Sequence, residues 1–269
     1  MIPIYKAIRL IKTSLRGGTT LPCLMTVIEN TGIIQGTYVV KVFDIKHLQQ
    51  YNPTNKEIIV NYLATEFDLS VPKMAIIEVP ENIIKELLEK KDYKNKSLKA
   101  GLYFGCEFID NTTFYEEEVK NSNYDEWELE TIFAFDALIR NFDRVIKKPN
   151  ILFKNGSFVL IDHELSLNIE RTFEEYKAFD NYKNVLQGTK GKHIFLEYLQ
   201  LKHKKESIHF DDFIESLRTL NLSRLVQLRD FLKVHDFNVA DFEAIIHYLE
   251  AAKRNLSTFK NILQTNLQA

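Results

Sequence analysis

The spacing of apolar residues changes once along this 269-residue chain, and this change constrains the fold more than any other feature. Before about residue 110, apolar residues fall in short segments that are rich in β-branched and aromatic side chains and are separated by Gly, Pro or Asn, a pattern typical of strands. These segments are IYKAIRLI, PCLMTVI, TYVVKVF, MAIIEV and LYFGCEFI. Beyond about residue 125, most segments have helical spacing. The sequence therefore predicts an α+β fold with two lobes, an antiparallel-sheet lobe at 1–110 and a mainly helical lobe at 111–269.

Two helices are predicted within the first lobe. KEIIVNYLATEF follows Asn52-Pro53-Thr54 and ends before Pro72, and ENIIKELLEKK precedes the last strand. The segment from Thr54 to Glu57 has the spacing of a capping box, in which Glu57 would satisfy backbone amides at the helix start. Glu57 could instead pair with a buried lysine, and the sequence leaves both roles open.

The composition argues against several classes of partner. The 35 Lys and Arg residues nearly balance the 37 Asp and Glu residues, so we expect binding neither to nucleic acid nor to an anionic membrane surface. No apolar run approaches the length of a membrane span. The two cysteines, Cys23 and Cys106, do not form a CxxC pair, which favours a reducing cytoplasm over an oxidising compartment.

Most of the candidate chemistry lies in one segment, NFDRVIKKPNILFKNGSFVLIDHEL, at residues 141–165. Asn155-Gly156 between two apolar runs predicts a hairpin, because both residues tolerate the positive φ angles of tight turns. A two-residue turn would place Asn150 opposite Ile161. A three-residue turn with a bulge would place it opposite Asp162, on the same face, and either register brings polar side chains to the open end.

Phosphoryl transfer needs metal ligands, a carboxylate near the acceptor hydroxyl and a lysine on the phosphates. Asn150 and Asp162 carry the oxygen ligands that Mg²⁺ prefers, and Asp143 would face the acceptor. Lys41 in TYVVKVF would share a strand face with apolar neighbours, so its ammonium needs an anion such as a phosphate or a helix glutamate. These four residues are the candidates for catalysis and magnesium binding.

The motif NFDR…PNILF…FVLIDHELSL resembles the catalytic and metal loops of HipA-like kinases, a branch of the protein-kinase-like fold. More weakly, YVVKVF resembles the ATP-lysine strand, KEIIVNYLATEFDLSVP the helix with its glutamate partner, and GCEFI the adenine-binding hinge. The resemblance implies transfer of the ATP γ-phosphate to a serine or threonine of a protein. It assigns residues as follows: Asp143 as catalytic base, Asn150 and Asp162 as magnesium ligands, Lys41 paired with Glu57 at the phosphates, and Glu107, Phe108 and Ile109 as the hinge.

The sequence departs from the usual kinase pattern in two places. Asn150 is the seventh residue after Asp143. In the usual kinase catalytic loop, the Asn is about the fifth residue after the Asp. No GxGxxG motif is present in the sequence, and Gly17-Gly18 is the only candidate phosphate loop. A nucleotide-binding pseudokinase or scaffold is therefore the alternative function. A third hypothesis is a metal-dependent hydrolase that uses Asp162-His163-Glu164.

Other polar residues have structural interpretations. Asp136 falls on the apolar stripe of its helix, which predicts a buried, hydrogen-bonded support of the catalytic loop. Asp143-Arg144 taken alone would be a turn with a surface ion pair. His163 and Glu164 could support the metal ligands or face solvent. The histidines without metal-ligand spacing are predicted at the surface, namely His193, His203, His209 and His247.

Overall fold

A computed structural model describes residues 2–13, 15, 20–115, 126–169 and 193–268. The chain forms two compact units, and each contains two separate stretches of sequence. The first unit consists of Met1–Ile58 and Pro72–Asn111, and the second consists of Ile59–Val71 and Thr112–Ala269. Strands dominate the first unit and helices the second, so the predicted α+β class is confirmed.

The first unit is built on a closed barrel of five strands in the order β1-β2-β3-β5-β4. The strands are β1 (Ile4–Lys12), β2 (Cys23–Ile28), β3 (Ile34–Val40), β4 (Met74–Val79) and β5 (Gly101–Glu107). Four of the neighbouring pairs are antiparallel, as predicted, but β1 and β4 are parallel, so the predicted antiparallel pairing is wrong at this one place. The reason is geometric, since an odd number of strands in alternating directions cannot close without one parallel pair.

Apolar side chains fill the core of the first unit. Alternate residues of β2, namely Cys23, Met25 and Val27, are fully buried, as expected for strands with one face toward a core. Helices α1 (Ile45–Tyr51) and α3 (Glu81–Leu88) belong to this unit. Ile83, Ile84 and Leu87 of α3 pack into the same core cluster, in agreement with their i, i+1, i+4 spacing on one helix face.

Helix α2 (Pro53–Glu66) contains the boundary between the two units. It begins at Pro53, directly after Asn52, whose φ of 46° ends α1. Thr54 therefore lies inside the first turn instead of capping it, and its buried hydroxyl has no hydrogen-bond partner within the described part of the chain. The capping box predicted for Thr54 and Glu57 is not formed, because Pro53 already occupies the start of the helix.

Residues 59–71 group with the second unit, although the sequence places them in the first lobe. Phe67 stacks on Phe213 with ring centroids 4.7 Å apart and contacts Phe135 at 5.6 Å. The backbone N–H of Leu160 donates a 2.9 Å hydrogen bond to the carbonyl of Ser70. These contacts join the end of α2 to elements more than 60 residues away in sequence, which local patterns do not reveal.

The second unit contains a three-stranded sheet and the remaining helices. Its strands are β6 (Thr113–Phe114), β7 (Ile151–Lys154) and β8 (Ser157–Leu160), in the order β6-β7-β8. Its helices within the described ranges are α4 (Glu126–Leu138), α5 (Leu196–Lys205), α6 (Asp211–Thr219), α7 (Ser223–Val234), α8 (Phe242–Arg254) and α9 (Leu256–Gln268). The hydroxyl of Tyr248 in α8 donates a 2.7 Å hydrogen bond to the carbonyl of Leu138 at the end of α4. Among the described residues, no helix is both long and apolar enough to cross a bilayer.

Candidate active site

The hairpin of β7 and β8 has the two-residue turn. Asn155 and Gly156 have φ angles of 51° and 87°, and Lys154 pairs with Ser157. The N–H of Ile161 donates a 3.1 Å hydrogen bond to the carbonyl of Asn150, so these two residues lie opposite each other. The bulged alternative, with Asn150 opposite Asp162, is not formed, because the Asn-Gly turn closes the ladder without an extra residue.

Asn150 and Asp162 lie at the open end of the hairpin, just outside its two strands. Both have positive φ angles, 50° for Asn150 and 63° for Asp162. Asn and Asp adopt this left-handed conformation more readily than other non-glycine residues. The chain leaves the ladder at both positions, so the strand pairing alone does not determine where the two side chains point.

A lysine that sequence reasoning missed links the predicted residues. Nζ of Lys148 lies 2.5 Å from Oδ2 of Asp143 and 3.1 Å from Oδ2 of Asp162. Nδ2 of Asn150 lies 3.5 Å from the same oxygen of Asp143. The structure therefore brings Asp143 and Asp162 together at one ammonium group, and Asn150 contacts Asp143 beside it.

The charge on Lys148 is stabilised by these carboxylates. Partial burial by itself would lower the pKa of Lys148, but Asp162 and Asp143 outweigh this effect and raise the pKa above its ordinary value. The side chain remains 35% exposed, compared with 9% for Asp143 and 15% for Asp162. The ammonium of Lys148 is thus a partly exposed counterion of two more deeply buried carboxylates, those of Asp143 and Asp162.

A small turn accounts for the seven-residue spacing between Asp143 and Asn150. Val145 and Lys148 form an isolated antiparallel bridge, in which each N–H donates to the other's carbonyl at 3.2 and 2.9 Å. The two residues between them, Ile146 and Lys147, are exposed. The turn accommodates the extra length of the loop and leaves Asn150 within reach of Asp143.

Arg144 is fully buried, so the interpretation of Asp143-Arg144 as a turn with a surface ion pair is wrong. Its Nη1 donates to the carbonyls of Pro149 and Asn150 at 3.2 and 2.6 Å. Its Nε donates to Asp136, and its Nη2 lies 3.1 Å from Nε2 of His163. A single guanidinium thereby connects helix α4, the loop before Asn150 and the segment after Asp162.

Asp136 is buried and hydrogen-bonded, as the sequence predicts. Its two carboxylate oxygens accept hydrogen bonds from Nδ2 of Asn141 at 2.9 Å and from Nε of Arg144 at 2.5 Å. Oδ1 of Asn141 in turn accepts the N–H of Asp143 at 3.1 Å. Burial alone would raise the pKa of Asp136, but the charge of Arg144 and the hydrogen bonds lower it to about 2. Asp136 is therefore an ionised anchor for the backbone of Asp143.

His193 is buried, so its prediction as a surface residue is wrong, whereas His209 and His247 are exposed as predicted. Nε2 of His193 lies 2.9 Å from Oδ2 of Asp136, and Nδ1 accepts the N–H of Phe195 at 3.2 Å. Because Nδ1 is an acceptor, the ring proton belongs on Nε2, where it is donated to Asp136. His193 was missed because its partner lies 57 residues earlier in the chain.

His163 and Glu164 are both buried, with 2% and 4% of their surface exposed, which excludes the solvent-facing alternative. His163 contacts the guanidinium of Arg144, and its carbonyl accepts the N–H of Ser166 at 2.9 Å. The segment after Asp162 is therefore connected through Arg144 to the same hydrogen-bond network as the loop at 141–150.

In the first unit, Lys41 forms a buried ion pair with Glu57 of α2. Lys41 directly follows β3, and its N–H donates a 3.2 Å hydrogen bond to the carbonyl of Phe104. Of the two roles left open for Glu57, this contact supports the lysine partner. Burial raises the pKa of the nearby Cys106 thiol to about 12, with Glu57 adding to the shift and Lys41 opposing it.

Two backbone N–H groups of the segment predicted as the adenine hinge are hydrogen-bonded within the barrel. The N–H of Glu107 donates to the carbonyl of Lys73 at 2.8 Å, and the N–H of Phe108 donates to the carbonyl of Thr37 at 2.9 Å. These two backbone donors therefore complete the strand ladder. Ile109 follows them at the end of the segment, beyond β5, and Gly17 and Gly18 lie outside the described residues.

Comparison with known proteins agrees with this geometry. A family model described as HipA-like kinase matches residues 15–215, more than half of the chain. The chain belongs to the HipA-like kinase family. None of the curated proteins matches the sequence significantly.

Two solved structures of other proteins are similar to this chain to different degrees. The Helicobacter pylori proinflammatory kinase CtkA is similar with a TM-score of 0.50 and 13% sequence identity, covering 99% of each chain. A chain in the Neurospora crassa complex of PAN2 with PAN3 (pseudokinase and C-term) has 13% identity and a TM-score of 0.29, covering 96% of this chain and 63% of that chain. The first similarity supports the kinase-like fold, and the second is too low to bear on it.

The residues of this site fit the magnesium that membership of the family implies. Asp162 offers a carboxylate and Asn150 an amide oxygen, and both are oxygen ligands of the kind that Mg²⁺ prefers. The carboxylates of Asp143 and Asp162 already share one cation, the ammonium of Lys148. The second unit thus carries an anionic, partly buried group of ligands suited to positive charge.

Proposed function

We propose that this protein is an ATP- and magnesium-dependent phosphotransferase, a serine/threonine protein kinase that transfers the γ-phosphate of ATP to a protein hydroxyl. The observation that carries the proposal is that Asp143 and Asp162 share one cation, with Asn150 in contact with Asp143, in a chain of the HipA-like kinase family. Phosphoryl transfer depends mainly on positioning and on charge stabilisation, and this group of residues supplies both.

Asn150 and Asp162 are the proposed magnesium ligands. Magnesium would neutralise charge on the ATP phosphates. The amide of Asn150 directs Nδ2 toward Asp143, which leaves Oδ1 as its ligand atom. The left-handed backbone at Asn150 and Asp162 is consistent with a functional site, because such conformations persist where surrounding contacts hold them.

Asp143 is the proposed catalytic base. Its carboxylate would accept the proton of the acceptor hydroxyl as the hydroxyl oxygen bonds to the γ-phosphorus. The bond from that phosphorus to the β,γ-bridging oxygen breaks at the same time, and ADP leaves with the bonding electrons. The buried contacts from Asn141 and Asp136 hold the backbone of Asp143 for this role.

Lys41 is the proposed phosphate-binding lysine of the first unit, with Glu57 as its partner. The buried pair orients the ammonium and supplies its counter-charge, since an unpaired charge in this position would be costly. The predicted hinge, Glu107 to Ile109, would have to contact adenine through groups other than the N–H donors of Glu107 and Phe108, which are bonded within the barrel.

Transfer of label from γ-³²P-ATP, measured on the full chain, tests the proposal. We expect magnesium-dependent label on the protein itself or on added protein, and a loss of roughly a hundredfold or more in Asp143→Asn. Asp212→Asn is the matched control, because Asp212 is an exposed carboxylate on α6. Equal incorporation by wild type and Asp143→Asn would contradict the proposal.

The pseudokinase alternative makes a different prediction in the same samples. A protein that binds nucleotide without chemistry would melt at a higher temperature with Mg-ATP and yet transfer no label. One motive for that alternative was the long catalytic loop, and the turn at Val145–Lys148 accommodates the extra residues. Thermal stabilisation without any label transfer by the wild type would favour the pseudokinase.

A further inference from the structure

Lys148 occupies a position that the proposed reaction does not explain. Its ammonium contacts the carboxylates of both Asp143, the proposed base, and Asp162, the proposed metal ligand. A divalent ion bound by Asp162 would need the same negative charge that Lys148 uses. The lysine and the ion would therefore place two positive charges against one carboxylate.

The backbone holds Lys148 in this place. The paired hydrogen bonds with Val145 fix it on one side, and the guanidinium of Arg144 binds the carbonyls of Pro149 and Asn150 on the other. The neighbouring Lys147 is exposed at the tip of the turn. Of these two adjacent lysines, Lys148 is the one that contacts Asp143 and Asp162.

The two contacts of Lys148 are unequal. Nζ is closer to Asp143, at 2.5 Å, than to Asp162, at 3.1 Å, and Asp143 is the more buried of the two acids. A charge-assisted hydrogen bond is stronger when it is shorter and less exposed to water. The contact with Asp162 is thus the longer and more exposed of the two, and it is the one at which an incoming cation would meet the lysine.

We infer that Lys148 is a built-in competitor of the divalent metal ion: it neutralises Asp162 in the metal-free protein and must release that carboxylate when the ion binds. This inference rests on the proposed function, since it takes Asp162 as a metal ligand. Lys148 keeps its contact with Asp143 when it loses its contact with Asp162. The metal affinity of the protein is therefore set partly by the protein's own lysine.

Titration of the full-length protein with Mn²⁺ alone, followed by the electron paramagnetic resonance of the free ion, tests this inference without activity. Removal of the lysine charge in Lys148→Met should tighten Mn²⁺ binding roughly tenfold, the size of a typical coupling between two sites. Lys147→Met removes the same charge from the next residue and should stay within about twofold of wild type. Lys148→Arg keeps the charge and should not tighten binding.

Thermal unfolding gives a second measurement. Without metal, Lys148→Met should melt below Lys147→Met, because Asp143 and Asp162 lose their shared counterion. Saturating Mn²⁺ should then raise the melting temperature of Lys148→Met more than that of wild type. Lys148→Gln provides a second neutral side chain if the methionine variant does not fold.

The outcomes separate this inference from the proposed function. Unchanged or weaker Mn²⁺ affinity in both neutral variants, or equal tightening in Lys148→Arg, would overturn the role of Lys148. Asp162→Asn tests the metal site itself and should abolish the tight binding. If Asp162→Asn binds Mn²⁺ as well as wild type does, the assignment of the metal ligand fails whatever Lys148 does.

Discussion

Nε of Arg144 donates a 2.5 Å hydrogen bond to Oδ2 of Asp136, and the two side chains are only 0% and 1% exposed. The same guanidinium holds the carbonyls of Pro149 and Asn150. Asp136 holds Asn141, which binds the backbone of Asp143. One buried ion pair is therefore hydrogen-bonded to both sides of the proposed catalytic loop, and its loss should have measurable effects.

Asp136→Asn should destabilise the protein strongly. The substitution leaves the buried guanidinium of Arg144 without its counter-charge, which costs about 3–5 kcal/mol in comparable buried pairs. Urea unfolding followed by far-ultraviolet circular dichroism measures this loss, with Asp212→Asn as the exposed control. A loss below about 1 kcal/mol, the range of surface ion pairs, would show that Asp136 and Arg144 do not form the anchor described.

The stability contributed by Asp136 should depend on pH in the acid range. Its pKa is lowered to about 2 in the folded protein, so the contribution is complete above the ordinary pKa of an aspartate and is lost as the pH falls toward 2. The gap in unfolding free energy between wild type and Asp136→Asn should narrow by about 2 kcal/mol between pH 6 and pH 2. A gap that stays constant over this range would contradict the lowered pKa.

His193→Ala should cost about 1–3 kcal/mol of unfolding free energy, because it removes one buried donor to Asp136 and leaves the N–H of Phe195 without its acceptor. His209→Ala is the matched control, since His209 is exposed and should change stability by less than about 0.5 kcal/mol. Denaturant unfolding at neutral pH measures the free energy of unfolding of both variants. Equal stability of the two variants would mean that the contacts of His193 contribute nothing.

Lys41→Met should weaken ATP binding by roughly ten- to a hundredfold, the range expected for loss of a hydrogen-bonded charge. Isothermal titration calorimetry with Mg-ATP measures the affinity, and the control is Lys6→Met, an exposed lysine on β1. Similar affinities for the two variants would remove Lys41 from the proposed phosphate site. Circular dichroism of both proteins should confirm that the barrel is folded.

Local sequence signals predicted the elements but not the contacts that join distant parts of the chain. The dipeptide Asn155-Gly156 predicts the hairpin that is observed. The position of Asp136 on the apolar face of its helix predicts its burial and hydrogen bonding. The inward direction of Lys148 depends on the turn closed with Val145, and the burial of His193 depends on a residue of α4. Those contacts form only when the chain is folded, so periodicity and spacing carry no sign of them.

The strand pairing illustrates the same limit. Each strand of the first unit was recognised from its own residues, yet the parallel pairing of β1 with β4 follows from closure of the five-stranded barrel. The same holds for the N–H groups of Glu107 and Phe108, whose partners Lys73 and Thr37 are set by the barrel. Pairing between strands is a property of the whole sheet and not of any segment.

A crystal structure of the full chain with magnesium and a non-hydrolysable ATP analogue tests the central claim most directly. We predict one magnesium ion that is bound by Oδ1 of Asn150, by the carboxylate of Asp162 and by phosphate oxygens, with Nζ of Lys148 no longer in contact with Asp162. A bound nucleotide whose magnesium touches neither Asn150 nor Asp162 would contradict the account.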